Sequence, residues 1–213
     1  MEALRRSSKV VVVEGFDMVG KTFFMKEHLS QYKIFHADHE LTDATVGRNN
    51  SWTIGYGIFD LMSQTGLNVS DPIVIDRCVA SSFVYSKLFP DGGVSKESMD
   101  QIVDWYSKCK VFKEDVVHVH VCHYNRCTAR KIYEASQHRE KNPNPLSAEL
   151  DKYSSFDEYW SAYKLAECWF ESVYSQLGIE PVKAKVYPGG YFFEFPGSDH
   201  LVNIRNRVKE DVE

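Results

Sequence analysis

Chemistry is most concentrated where Gly15-x-x-x-x-Gly20-Lys21-Thr22 follows the run Val10 to Val13. Glycines at that spacing free backbone N–H groups to wrap a polyphosphate, a lysine reaches its terminal phosphates, and a threonine hydroxyl can hold a magnesium ion. Average composition would produce the bare pattern in about one chain of this length in a hundred. Its setting is more selective, because a β-branched run leads in and Phe23 to Ser30 continues as an amphipathic helix. The expected nucleotide-binding residues are therefore Gly15, Phe16, Asp17, Met18, Val19, Gly20, Lys21, Thr22 and Phe23. A glycine turn with an incidental lysine would leave the strand–loop–helix order without a cause.

Two further groups narrow the reaction. Asp76-Arg77 closes the apolar run that starts at Pro72, which puts both residues on the same sheet rim as the loop. A carboxylate there can hold the water shell of a magnesium bound at Thr22, and an arginine beside it can grip a phosphate with its planar fork. The plainer reading is a strand-capping acid with a solvated neighbour. Arg126 and Arg130 are four residues apart and share one helix face, and Lys131, Arg139 and Lys141 extend the basic stretch. Phosphoryl transfer asks for positioning and distributed positive charge more than for covalent help. A basic lid over residues 137–153 would supply both and exclude water. A solvated basic helix is the competing reading.

These groups need a scaffold. With 213 residues, 43% of them hydrophobic, the chain can bury one substantial core, and a single domain over 1–213 is expected. A formal net charge of -5 offers no general attraction to a phosphodiester backbone, so stable nucleic-acid binding is not expected. Cys78, Cys109, Cys122, Cys127 and Cys168 lack paired spacing and read as free thiols of a reducing compartment. Charged residues bracket Met1 to Lys9, and no apolar stretch is long enough for a membrane span, so a soluble cytoplasmic protein is expected.

Strands are predicted over Lys9 to Glu14, Tyr32 to Ala37, Pro72 to Asp76, Val116 to Cys122 and Val182 to Val186. Helices are predicted over Lys21 to Gln31, Trp52 to Gln64, Ala80 to Phe89, Lys96 to Lys110, Asn125 to Ser136 and Phe156 to Leu177. Tyr191 to Phe195 reads as an extension or an edge, and Leu201 to Glu213 as a closing polar helix. The alternation implies an α/β three-layer sandwich around a five-stranded parallel sheet with right-handed crossovers. Ligands should gather at the carboxyl ends of its strands.

Several of these residues together resemble a known family. Glu14 before Gly15, Asp17, Gly20, Lys21 and Thr22, the triplet Ile75-Asp76-Arg77, the stretch Ser81 to Ser86 and an arginine-bearing lid are similar to thymidylate kinase. That family belongs to the P-loop nucleoside monophosphate kinases and is related to the deoxynucleoside kinases. The resemblance implies the P-loop kinase fold, a homodimer, and an ATP- and magnesium-dependent transferase of nucleotide biosynthesis. It implies ATP on the loop, a second nucleotide facing its γ-phosphate, magnesium at Thr22 and Asp76, and a catalytic set of Lys21, Arg77, Arg130 and Asp17.

In the family the acid at the position of Asp17 accepts a hydrogen bond from the acceptor's sugar 3′-hydroxyl. A carboxylate beside anionic phosphates has no electrostatic reason of its own, and a sugar hydroxyl provides one; a solvent-facing acid in a turn is the bland reading. Some members place a catalytic arginine where this chain has Met18, so here the cation must come from Arg126, Arg130 or Arg139. Arg130 is nearest by its spacing from the fourth strand. The likeness breaks after the second strand, where the family carries an arginine for the acceptor's phosphate. Here the segment reads Phe35-His36-Ala37-Asp38-His39-Glu40, and the next arginine is Arg48. Either Arg48 and Arg77 hold that phosphate, or the acceptor is a nucleoside whose 5′-hydroxyl gives its proton to Asp38 or Glu40, as in deoxynucleoside kinases. Those enzymes place a tryptophan shortly after that acid, whereas Trp52 lies well beyond Glu40. A deoxynucleoside monophosphate, dTMP-like, is therefore the expected acceptor and a nucleoside the alternative. A kinase acting on modified DNA is opposed by the acidic balance, and a non-catalytic nucleotide binder by the intact set Lys21, Thr22, Asp76 and Arg77.

His118, His120 and Cys122 alternate along one strand and so share a face, a spacing that can build a zinc site. On an inner strand covered by a helix, satisfied core histidines are the expected reading. Tyr159, Trp160, Tyr163, Trp169, Phe170 and Tyr174 are expected to pack, although one of them, or Phe59 or Trp52, could stack on a base.

Overall fold

Val10, Val11, Val12 and Val13 are all buried, as a β-branched run covered on both faces requires. The computed structural model describes residues 10–36, 73–88, 97, 100, 101, 103, 104, 106, 116–137, 153–187, 189–194 and 201–205. Its elements are β1 (Val10–Glu14), α1 (Lys21–His28), β2 (Lys33–His36), β3 (Ile73–Asp76), α2 (Val79–Leu88) and β4 (Val116–His123). They continue as α3 (Arg126–Gln137), α4 (Phe156–Leu177), β5 (Val182–Tyr187), β6 (Gly190–Glu194) and β7 (Leu201–Arg205). The sheet runs β2-β3-β1-β4-β5-β6-β7. The first five strands in that order are mutually parallel, so the expected five-stranded parallel α/β sheet is present.

Two antiparallel strands extend it. β6 returns beside β5, and β7 pairs with β6 from Gly190↔Arg205 to Glu194↔Leu201. The start of the expected C-terminal helix is thus a strand over Leu201–Arg205. Leu201, Val202 and Ile204 suit a pleated strand, and the free edge of β6 supplies backbone partners that no local pattern reveals.

Helices cover both faces. On one, Phe24 of α1 meets Tyr191 and Phe193 of β6 at ring-centroid distances of 5.2 and 6.0 Å. On the other, Ser81 of α2 bonds Glu14 of β1, Tyr174 of α4 lies 3.0 Å from His120 of β4, and Lys183 of β5 reaches Glu171 of α4 at 3.3 Å. α4 is the best-specified helix. Ser155 caps it by accepting from the Glu158 N–H at 3.2 Å, and the Glu158 carboxylate accepts from the Ser154 N–H at 2.7 Å. The Ser154 hydroxyl, donating to the same carboxylate at 2.6 Å, and the Ser154 N–H together hold the Glu158 carboxyl below its usual range. Gly178, at φ 65, ends it in a left-handed turn with Ile179 N–H donating to Tyr174 O at 2.8 Å. Its buried face carries Tyr159, Tyr163, Ala166, Phe170, Val173, Tyr174 and Leu177 at helical spacing.

Of the helix expected from Lys96 to Lys110, Glu97, Asp100, Gln101, Val103, Asp104 and Tyr106 are described and helical. The expected helix from Trp52 to Gln64, residues 138–152 of the lid, and Asp38, Glu40, Arg48, Trp52, Phe59, Cys109, Arg139 and Lys141 lie outside the described residues. The lid's two ends are described: Gln137 closes α3, and Tyr153 is buried with its ring 6.1 Å from Phe16. Among the described residues no helix is long and apolar enough to cross a membrane.

Candidate active site

β1 carries the chain, still buried, to Glu14, and Gly15 then turns at φ 141. A side chain at Gly15 would place its Cβ 2.2 Å from the Val121 carbonyl oxygen, so β4 itself demands glycine there. Gly20, at φ 92, is the N-cap of α1, with no side-chain hydrogen bond to that cap and no acid in the first turn. The positive end of the helix is thereby presented toward the loop, which suits a phosphate. Lys21 is buried and folds its ammonium onto the loop, donating to Gly15 O at 3.0 Å and Phe16 O at 2.7 Å. Thr22 and Phe23 are exposed on the first turn. Phe16 and Val19 are fully buried, so neither side chain is offered to a phosphate. Met18 sits at φ 59, left-handed for a residue with a side chain, at a cost of about 1 kcal/mol.

Asp17 is not the solvent-facing acid of a turn. It is buried, and Arg77 Nη2 donates to its Oδ1 at 2.5 Å, as does the Tyr85 hydroxyl at 2.5 Å. The pairing gives the loop's carboxylate an electrostatic reason that the sequence did not reveal. Arg77 also has a left-handed φ of 69, which turns its N–H to Val13 O at 2.9 Å and aims its side chain at the loop, with the guanidinium 4.9 Å from the Tyr85 ring centroid. Burial drives the Tyr85 hydroxyl well above its usual pKa, and it stays a donor to Asp17. Asp76, the last residue of β3, is half-buried and in register with Val13. Lys21, Thr22, Asp17, Asp76 and Arg77 are thus gathered at the carboxyl ends of β1 and β3.

Three supports of the loop lay outside the sequence reading. Glu14, fully buried, accepts from the Cys78 N–H at 2.9 Å and from the Ser81 hydroxyl and N–H, capping α2 from a different strand. Burial raises its carboxyl pKa, against those hydrogen bonds. Tyr159 donates its hydroxyl to Asp17 O at 2.9 Å and lies 2.7 Å from His123 Nε2. With the phenol proton on Asp17 O, Nε2–H must donate to Tyr159, and burial keeps that imidazole neutral with a pKa lowered to about 3. The Phe16 ring packs among Tyr85, Tyr153, Tyr159 and Tyr163 at 5.9 to 6.2 Å. The tyrosines of α4 were expected to pack; the Tyr159 hydroxyl also latches the loop.

Arg126 and Arg130 do share a face. Both guanidiniums are about half exposed and turn to the start of α4: Arg126 to Asp157 at 2.7 Å, Arg130 to Asp157 at 4.0 Å and over the Phe156 ring at 4.6 Å. In this arrangement they face Asp157 and Phe156 rather than the loop. His118 and His120 are buried and hydrogen-bonded, His118 to Tyr106 at 2.5 Å and His120 to Tyr174 and Glu167, as expected of core histidines.

No protein-family model matches the chain, and no curated protein matches it. Among solved structures it is similar to the YorR protein of Bacillus subtilis in complex with phosphorylated GDP, at 17% identity and TM-score 0.47 over 83% of this chain and 85% of that one. It is also similar to deoxyadenosine kinase of M. mycoides with products dCMP and dCDP bound, at 12% identity and TM-score 0.47 over 83% and 89%. Polyphosphate kinase 2 of Arthrobacter aurescens TC1 is similar at 13% identity and TM-score 0.37 over 90% and 71%. Likeness at this distance leaves the chemistry to be read from the site.

Proposed function

We propose that the chain is a P-loop kinase that moves the γ-phosphoryl group of ATP to a deoxynucleoside monophosphate, a pyrimidine such as dTMP. The observation that carries this reading is the contact of Arg77 with Asp17, which brings a rim arginine against the same loop that Lys21 lines from within. A donor phosphate on the α1 N-terminus and an acceptor near Arg77 would then meet end to end. The uncapped helix and the lysine fit a bound polyphosphate, and Thr22 with Asp76 are the residues that would hold magnesium. Magnesium supplies charge neutralisation of the donor phosphates. The loop backbone and Lys21 hold the β- and γ-phosphates, Arg77 orients the acceptor, Asp17 reads its sugar, and Arg130 reaches the transferring group once it leaves Asp157. By the resemblance, the chain works as a homodimer, and its cysteines without paired spacing fit the reducing cytoplasm.

A nucleoside acceptor is the second reading, and one observation favours it. Arg77 already has a carboxylate at 2.5 Å, so an acceptor phosphate must compete with Asp17 for the guanidinium. Offering thymidine and thymidylate, then a wider panel of nucleosides and monophosphates, with ATP and magnesium separates the two. Transfer to thymidylate supports the first reading and transfer to thymidine alone the second. Nucleotide binding without transfer to any acceptor refutes both.

A further inference from the structure

Behind the loop, on the face covered by α4, lies a group that the phosphoryl-transfer reading does not use. His120 and Cys122 of β4 and Glu167 of α4 each offer a ligand atom, and these atoms all lie within 4.8 Å of one another. The sequence grouped His118 with His120 and Cys122; the structure removes His118, which bonds Tyr106, and puts a carboxylate from a distant helix in its place. We propose that His120, Cys122 and Glu167 form a binding site for a borderline-soft divalent cation of the zinc class.

The donor set is one imidazole, one thiol and one carboxylate, a mixture that suits zinc and repels magnesium, which takes oxygen ligands alone. Tetrahedral zinc holds its ligand atoms about 3.5 Å apart. His120 Nε2 is already 3.1 Å from both Glu167 oxygens, and the widest gap needs to close by about 1 Å. His120 Nδ1 lies 3.0 Å from the Tyr174 hydroxyl, the kind of outer partner that fixes a metal-bound ring. That hydroxyl can donate to Nδ1 or accept from it, so it serves the ring before and after binding. Without metal, Nε2–H donates to Glu167 and Tyr174 donates to Nδ1. With metal on Nε2, the imidazole carries its proton on Nδ1 and donates to Tyr174.

Proton balance follows. Burial and the nearby Glu167 charge keep Cys122 a thiol, so metal binding must release its proton to solvent, one per ion. Charge favours a cation: Lys183 and Lys185 beside Cys122 are matched by Glu171 at 3.3 Å and Glu194 at 2.5 Å, which leaves the Glu167 carboxylate in excess. The Glu167 side chain is 21% exposed, against 3% for His120, so it marks the way in and the side where water completes the coordination.

Cobalt(II) titrated into the full chain, first stripped with a chelator, tests this directly. Expected are a near-ultraviolet thiolate-to-cobalt band, tetrahedral visible bands saturating at one ion per chain, one proton released, displacement by zinc, and no competition from magnesium. Cys122→Ser should lose the thiolate band, while Cys127→Ser and Cys168→Ser, both at exposed thiols, keep it. If Cys122→Ser does not fold, Glu167→Gln at the rim decides: cobalt affinity should fall about tenfold or more. A folded protein without the band, the band persisting in Cys122→Ser, or Glu167→Gln binding as wild type would each overturn the site.

Discussion

Replacing Tyr159 by phenylalanine removes one oxygen and leaves its ring among Phe16, Tyr133 and Tyr153 at 5.4 to 5.9 Å. That oxygen makes two buried hydrogen bonds, donating to Asp17 O at 2.9 Å and accepting from His123 Nε2–H at 2.7 Å. Losing both, with the stranded groups kept from water, should cost about 2–4 kcal/mol. Tyr163→Phe is the internal reference, since its hydroxyl accepts a single bond, from the His123 N–H at 3.1 Å, and the loss should be about 1–2 kcal/mol. The same change frees the Asp17 backbone in the middle of the loop. Ordering that segment on binding should then weaken ATP affinity by about fivefold, roughly 1 kcal/mol. Urea unfolding followed by far-ultraviolet circular dichroism gives the stability difference, and calorimetric titration with ATP gives the affinity. If Tyr159→Phe lies within about 0.5 kcal/mol of wild type, or costs less than Tyr163→Phe, the latch does not exist as described.

Three other substitutions or conditions probe separate parts of the account. Gly15→Ala should destabilise by about 3 kcal/mol or more, because its Cβ meets the Val121 carbonyl and its φ of 141 is strained; a melting temperature near wild type would contradict this. Burial lowers His118 to about 4 and His123 to about 3, so below pH 6.5 the unfolded chain takes up protons that the folded chain refuses. Stability should therefore fall with pH between 6.5 and 4, by up to about 1.4 kcal/mol per unit for each histidine, and a flat melting profile there would be wrong for neutral buried rings. Arg126→Ala should change stability by less than about 1 kcal/mol, since its pair with Asp157 is solvent-screened; a larger loss on denaturant titration would mean a deeper role.

Local pattern revealed what local chemistry decides. Four valines, a glycine turn and a lysine specify β1, the loop and α1 with little help from elsewhere. α4 was legible from Phe156 to Leu177 because its aromatic face repeats at helical spacing and Gly178 stops it. β7 was read as helix because Leu201 to Arg205 has no decisive period and its fate rests on the edge of β6. The same limit applied at the site. Asp17 and Arg77 were both singled out, yet their contact with each other spans sixty residues of chain and no local pattern reveals it. Glu14 stood in the motif without a role because its partners, Cys78 and Ser81, are at the start of a helix far along the chain. Tyr159 and Tyr163 read as packing because periodicity reports which face a ring lies on and says nothing about its hydroxyl.

The most direct measurement is calorimetric titration of the full chain and of Lys21→Ala with a non-hydrolysable ATP analogue and magnesium. One binding site is expected on the wild-type chain and its loss in Lys21→Ala, with circular dichroism showing that the variant keeps its fold. Equal affinity in the two proteins, or no binding to either, would mean that the loop between β1 and α1 does not hold a nucleotide.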